Sequence, residues 1–228
     1  MKKRISILAS VFLATATIFL ASCKKEEAPH EHANVMVVHA SPNAPGVDLL
    51  VDDTKINSAA LTFPNNTGYL ELEAGTRNLK INVTGTSTTV INANVPFTKD
   101  MNYSVFAVDS VSKISPLVIS DDLTAPAAGK AHVRFIHLSP NAPAVDVAVA
   151  STGDVVFGNY GFKEYSAFTP LTAGTYLLDV RLTGTSTVAL TLPSITLEAG
   201  KIYTVYAKGF AGVLTGTEAL GAEIIVNK

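Results

Sequence analysis

Two short stretches of this 228-residue chain carry the ingredients of nucleophilic chemistry. His39, Ser41 and Asp48 lie close together, and His137, Ser139 and Asp146 repeat them further on. An imidazole, a hydroxyl and a carboxylate are the components of a hydrolytic triad. In His-x-Ser both side chains fall on the same side of an extended strand. Pro42 and Pro140 follow at once and bend the chain away. A serine nucleophile also needs a sharp elbow and an oxyanion hole, and no Gly-x-Ser-x-Gly occurs. The simpler expectation is structural. Ser-Pro-Asn-Ala-Pro is a stiff connector, because each proline fixes φ and pushes its predecessor toward extended conformations. The histidine is expected to bridge backbone groups of that connector, and the aspartate to cap or pair with it. No catalytic residue is therefore expected. A hydrolase centred on His137 and Asp146 is the lesser alternative. A metal held by the His–Asp pair would lack a third ligand visible in the sequence.

The other chemistry-bearing groups are sparser. Asp52-Asp53 and Asp121-Asp122 are paired acids that the repeat does not copy. Both are expected to be solvated carboxylates in turns, groups that calcium could use. His30-Glu31-His32 makes a weak metal site on a polar stretch. Neither a phosphate-cradling glycine loop nor His-Glu-x-x-His is present. No metal and no cofactor is expected. Phe157, Tyr160, Phe162, Tyr165 and Phe168 cluster where the first half has only Phe63 and Tyr69. They either fill a differently shaped core or, for Phe157, Tyr160, Phe162 and Tyr165, form a binding patch. Tyr103, Phe106, Tyr203 and Tyr206 sit in a repeated Tyr-x-Val-x-Ala strand and are expected in the core.

The elements that position these groups are written twice. Val37–Asp48 returns as Phe135–Asp146, Ala74–Thr76 as Ala173–Thr175, Thr84–Thr88 as Thr183–Thr187 and Tyr103–Ala107 as Tyr203–Ala207. The spacing drifts by only two residues along the repeat, so the body is a duplicated module of ordinary domain size. Within each copy the apolar period is two: Leu79, Ile81 and Val83 match Leu178, Val180 and Leu182. Thr-Gly-Thr-Ser-Thr reads as a turn, and no helical period follows the first segment. The fold expected is all-β, two tandem immunoglobulin-like antiparallel sandwiches. The repeats are placed at residues 34–122 and 131–228, with a small-residue linker at 123–130.

His-x-Ser-Pro-Asn-Ala-Pro-x-Val-Asp, Ala-Gly-Thr and Tyr-x-Val-x-Ala, each present twice, resemble the bacterial family called domain of unknown function 4397. The resemblance covers nearly all of residues 34–227 as two copies. It implies an extracytoplasmic β-rich module, often in lipoproteins, and brings no catalytic residues to carry over.

The first segment points to export. Met1–Arg4 is basic, Ile5–Ala21 is a short and diluted apolar run, and Leu20-Ala21-Ser22-Cys23 resembles a bacterial lipobox. Cys23 is the only cysteine of the chain. Residues 1–22 are read as a lipoprotein signal peptide, Cys23 as the lipidated residue bearing palmitate-like chains, and 23–33 as a tether. Lys25-Glu26-Glu27 resembles the surface-export signal of Bacteroidetes lipoproteins. Cleavage would remove Lys2, Lys3 and Arg4, so 17 basic side chains become 14 against 19 acids, a formal −5. That balance, with 16% charged and 47% hydrophobic residues, excludes disorder and gives no support to a nucleic-acid partner. The expectation is an exported protein anchored to the outer membrane, with cell-surface exposure implied by Lys25-Glu26-Glu27, non-enzymatic, acting as an interaction or scaffold module. The membrane and a glycan or protein are its expected partners, with a purely structural spacer as the alternative.

Overall fold

The computed structural model describes residues 31–228. The first module contains β1 (His32–His39), β2 (Val47–Val51), β3 (Thr54–Lys55), β4 (Asn66–Glu73), β5 (Gly75–Val83), β6 (Thr89–Phe97), β7 (Asn102–Val108) and β8 (Ser115–Asp121). The second contains β9 (Lys130–His137), β10 (Val145–Val149), β11 (Val155–Tyr160), β12 (Thr169–Thr172), β13 (Gly174–Tyr176), β14 (Leu178–Leu182), β15 (Val188–Thr191), β16 (Ile195–Leu197), β17 (Ile202–Lys208) and β18 (Gly221–Val226). A single 3-10 turn, Val111–Lys113, joins β7 to β8, and the described residues hold no α-helix. No helix among them is long and apolar enough to cross a membrane.

Each module is a sandwich of two sheets. In the first, β4-β1-β7-β8 faces β3-β2-β5-β6; in the second, β12-β9-β17-β18 faces β11-β10-β14-β15, with β13-β16 as a short extension. Leu79 and Ile81 of β5 enter one core, and Leu178 and Val180 of β14 enter the other, as the shared period of two requires. The pairing is not wholly antiparallel: β1 runs parallel to β7, and β9 parallel to β17. Strand β1 also starts earlier than the tether boundary allowed. His32 and Ala33 pair with Glu73 and Leu72, and Ala33 is buried. Lys130, assigned to the linker, opens β9.

A third core joins the modules. On β1, Val35 and Val37 point into the first sandwich, while Met36 and Val38 point the opposite way. On β17, Tyr203 and Val205 enter the second sandwich and Tyr206 leaves it. Met36, Val38, Phe106, Ile136, Leu138 and Tyr206 meet in this seam, with Phe106 and Tyr206 edge to face at 6.1 Å. The central sheet of each module is thus covered on both faces, and the molecule is a stack of four sheets. Burial on both faces is why β1 and β9 read as near-continuous apolar runs rather than alternating strands.

The two modules point the same way. At one end, Lys228 Nζ bonds the Leu123 carbonyl (3.0 Å). At the other, Lys163 Nζ bonds Ser115 Oγ (3.0 Å), Tyr206 OH donates to the Pro64 carbonyl (2.8 Å), and Lys208 Nζ lies 5.4 Å over the Phe63 ring. His32, the 123–129 connection and Lys228 share the first end. Both Ser-Pro-Asn-Ala-Pro connectors, both Thr-Gly-Thr-Ser-Thr turns and the β7–β8 and β17–β18 connections share the second.

Candidate functional site

The repeated motif builds a brace at that second end. β1 delivers His39 to the start of the connector, and β9 delivers His137 to the same place in the second module. His39 Nε2 lies 3.0 Å from the Pro45 carbonyl, and His137 Nε2 lies 3.0 Å from that of Pro143. Each ring therefore donates across its Ser-Pro-Asn-Ala-Pro connector and holds it closed. Both histidines are fully buried, and burial pulls their pKa below the ordinary 6.5.

The aspartates work elsewhere. Asp48 accepts from Lys55 Nζ (2.9 Å), Gly85 N (3.3 Å) and Thr84 Oγ1 (3.3 Å). The Lys55 ammonium, followed by the Gly85 amide, holds its carboxyl below the usual range. Asp146 accepts from Asn159 N (2.7 Å) and Gly184 N (2.9 Å). The glycines of the two turns are left-handed (φ 73° at Gly85, 71° at Gly184), a conformation that favours glycine there. The two halves of the repeated sequence signature, His-x-Ser-Pro…Asp and Thr-Gly-Thr-Ser-Thr, are thus bonded to each other through this carboxylate. The expected cap is present, but its target is the β5–β6 or β14–β15 turn. No hydrogen bond or ion pair joins either aspartate to its histidine among the described residues.

The serines complete the brace unequally. Ser139 Oγ donates to the Gly209 carbonyl (2.7 Å), while Ser41 Oγ is buried without a partner. Both serines are 0% exposed. Pro42 and Pro140 turn the chain so that the next asparagines reach the neighbouring connection. Asn43 Oδ1 accepts from Val111 N (2.9 Å), and Asn141 exchanges two bonds with Ala211 (2.8 and 3.0 Å).

Asp121 is not a solvated turn carboxylate. It is 3% exposed, and its Oδ1 lies 2.6 Å from Arg134 Nη1 across the seam. Ser104 Oγ (2.6 Å) and Tyr69 OH (2.5 Å) donate to its other oxygen. Burial, then the Asp121 charge, pushes the Tyr69 phenol up, so it stays a donor. Sequence reading missed Arg134; its only signal was a cation in the middle of the apolar run Val-x-Phe-Ile. Asp52 and Asp53 do lie in an exposed turn, bonded to Arg77 (3.3 Å) and to Lys80. Among the described residues no three His, Cys, Asp or Glu side chains gather as metal ligands.

The aromatic cluster divides. Phe157 is core, stacked on Phe135 at 6.1 Å and 23°, so it cannot belong to a surface patch. Tyr160 is half-buried, edge-on to Phe135 at 5.9 Å. Phe162 is half-buried beneath Lys163, and Phe168 lies 4.6 Å below the Arg134 guanidinium. Tyr165 alone is exposed (45%). Leu20, Ala21, Ser22, Cys23, Lys25, Glu26, Glu27 and His30 lie outside the described residues.

The buried histidines make stability pH-dependent. Each titrates near 6.5 when unfolded and lower when folded, so the unfolded chain binds more protons as pH falls. The contribution is present above 6.5 and lost below it. Urea midpoints at pH 7.5 and 5.5 should fall with pH, and by less in the His39→Gln/His137→Gln protein.

No curated protein matches the chain. The model of one family, described as a domain of unknown function (DUF4397), matches residues 33–148, which is the first module from Ala33 onward together with β9 and most of β10. Since that match spans more than half of the chain and takes in the entire brace of the first module, the protein belongs to the DUF4397 family.

Proposed function

We propose that this protein is a lipid-anchored, non-catalytic interaction module of the bacterial envelope, built from two tandem copies of the family domain. The observation that carries the reading is the common direction of the modules. The chain preceding His32 reaches the molecule at one end, and both sets of braced loops stand at the other. Anchoring through Cys23 at the head of a tether would present all of those loops away from the membrane together. Several acyl chains anchor a soluble domain firmly, at about 0.8 kcal/mol per buried methylene. The loop end is rich in Ser, Thr, Asn and Gly, a composition suited to hydrogen-bonding a partner. Loops on a rigid scaffold are the usual place for recognition.

A hydrolase using His137 and Asp146 is disfavoured by the geometry. The histidine is spent on the Pro143 carbonyl, the aspartate on backbone amides, and the serine is inaccessible to substrate. A plain spacer uses the same rigid body without the loops, and the Bacteroidetes surface type rests on Lys25-Glu26-Glu27. Protease digestion of intact cells separates these readings. The wild-type protein should be cleaved, and a variant with Lys25, Glu26 and Glu27 changed to Ala should be protected. Protection of both would place the modules in the periplasm and overturn surface display.

A further inference from the structure

We propose that the first module carries a binding cleft for a neutral, hydroxyl-rich ligand, a sugar residue of a glycan, at its loop end between the 56–62 segment and the start of β4. The cleft is about 390 Å³, within the range of small-molecule sites. It forms where an irregular segment, and not a regular strand, closes the edge of the first sandwich: Val47 pairs with Leu61, and the Asn57 side chain bonds Leu49 N and the Val47 carbonyl. β11 closes the side of the second sandwich by pairing with β10 from Val145 to Ala148. Its counterpart β3 pairs for only two residues, Leu50 with Lys55 and Val51 with Thr54. The plug is missing too. Phe157 and Tyr160 fill the second module's side against Phe135, but the first module has Val37 at the matching position. Its one nearby ring, Phe63, turns to the seam beside His39 and under Lys208.

The lining decides the ligand class. None of the residues around the cleft is ionisable. Its floor is apolar, from Ile56, Leu61 and Leu70, and a small gap of about 20 Å³ continues from Ile56 and Leu70 into the core. Its rim is neutral and polar. Asn65 spends its amide nitrogen on Thr62, and Asn66 its amide oxygen on Gly68 N. The Asn65 amide oxygen and the Asn66 amide nitrogen, both on exposed side chains of the lining, are therefore left as one acceptor and one donor for a ligand, beside the exposed Ser58 hydroxyl. A pyranose presents the complementary surface: a C–H face for the floor and hydroxyls that both donate and accept for the rim. A charged ligand would find no counter-charge there and would lose hydration without return.

This inference deepens the interaction reading and rests on it, yet binding by the purified chain is independent of where the cell carries the protein. The test is NMR titration of residues 24–228 with glucose, galactose, mannose, N-acetylglucosamine and their β-linked disaccharides, up to about 100 mM. Saturable shifts are expected at Ser58, Thr62, Asn65 and Asn66, at least tenfold weaker in Ala60→Trp, which fills the cleft from an exposed position, and unchanged in Val155→Trp, an exposed position of the second module away from its loop end. Galacturonate should bind at least tenfold more weakly than galactose. No saturation with any of these sugars, equal binding of the uronic acid, or shifts indifferent to Ala60→Trp would each overturn the cleft. Surface display would remain for the digestion experiment to decide.

Discussion

Replacing Arg134 by Met should lower the unfolding free energy by about 3–5 kcal/mol, the usual cost of leaving one partner of a buried ion pair alone. The guanidinium uses every arm in the seam. Nη1 meets Asp121, Nε donates to Thr204 Oγ1 (2.9 Å), Nη2 donates to Ser104 Oγ (3.1 Å), and its plane covers Phe168. The network closes on itself, since Thr204 donates to Asn227 Oδ1 (2.7 Å) and Asn227 Nδ2 donates to Tyr69 OH (3.1 Å). Without Arg134, Asp121 remains buried with neutral donors only.

The duplication supplies the control. The position matching Arg134 in the first module is Met36, and the position matching Asp121 in the second is Asn227. Arg134→Met/Asp121→Asn therefore gives each site a residue the other module already tolerates in the seam. The double variant should recover most of the loss, because a buried pair exchanged for fitting neutral groups is often close to neutral in stability. Urea denaturation of wild type, both single variants and the double one closes the cycle. A single-variant cost under about 1 kcal/mol would show the pair to be solvated. A double variant as unstable as Arg134→Met would show that lost packing, and not a stranded charge, sets the cost.

What the sequence disclosed was what repeats inside each module. Leu79/Ile81 and Leu178/Val180 face cores that each module builds for itself, so the period of two was visible. The braced connector was visible for the same reason: Ser-Pro-Asn-Ala-Pro has one stiff conformation, and a histidine beside it finds a carbonyl within a few residues. The seam was hidden because it is made by contrast between the copies. Phe106 and Tyr206 carry the same pattern as a core strand, and nothing local says which face meets another module. Asp121 beside Asp122 looks like a turn because its partner sits on a strand of the other module. The cleft was hidden for the converse reason. It follows from side chains the first module lacks, and a missing ring leaves no mark in the sequence of the half that lacks it.

The seam also governs how the molecule unfolds. Tyr206→Ala should cost about 3–5 kcal/mol, the range for removing a buried aromatic side chain, while Tyr206→Phe should cost about 1 kcal/mol. The larger loss removes the ring packed on Phe106; the smaller removes only the donor to the Pro64 carbonyl. Because the seam buries an apolar cluster of its own beside the Arg134 network, neither module can melt without exposing Met36, Val38, Phe106 and Ile136 to water. Calorimetry should therefore show one transition for the wild type, with calorimetric and van't Hoff enthalpies equal. The chain has no tryptophan, so tyrosine fluorescence supplies the second probe. Two resolved transitions would mean that the modules are stable separately and the seam is incidental. One transition that splits in Tyr206→Ala would mean that the seam alone couples them, and that rigid presentation of both loop sets depends on this ring.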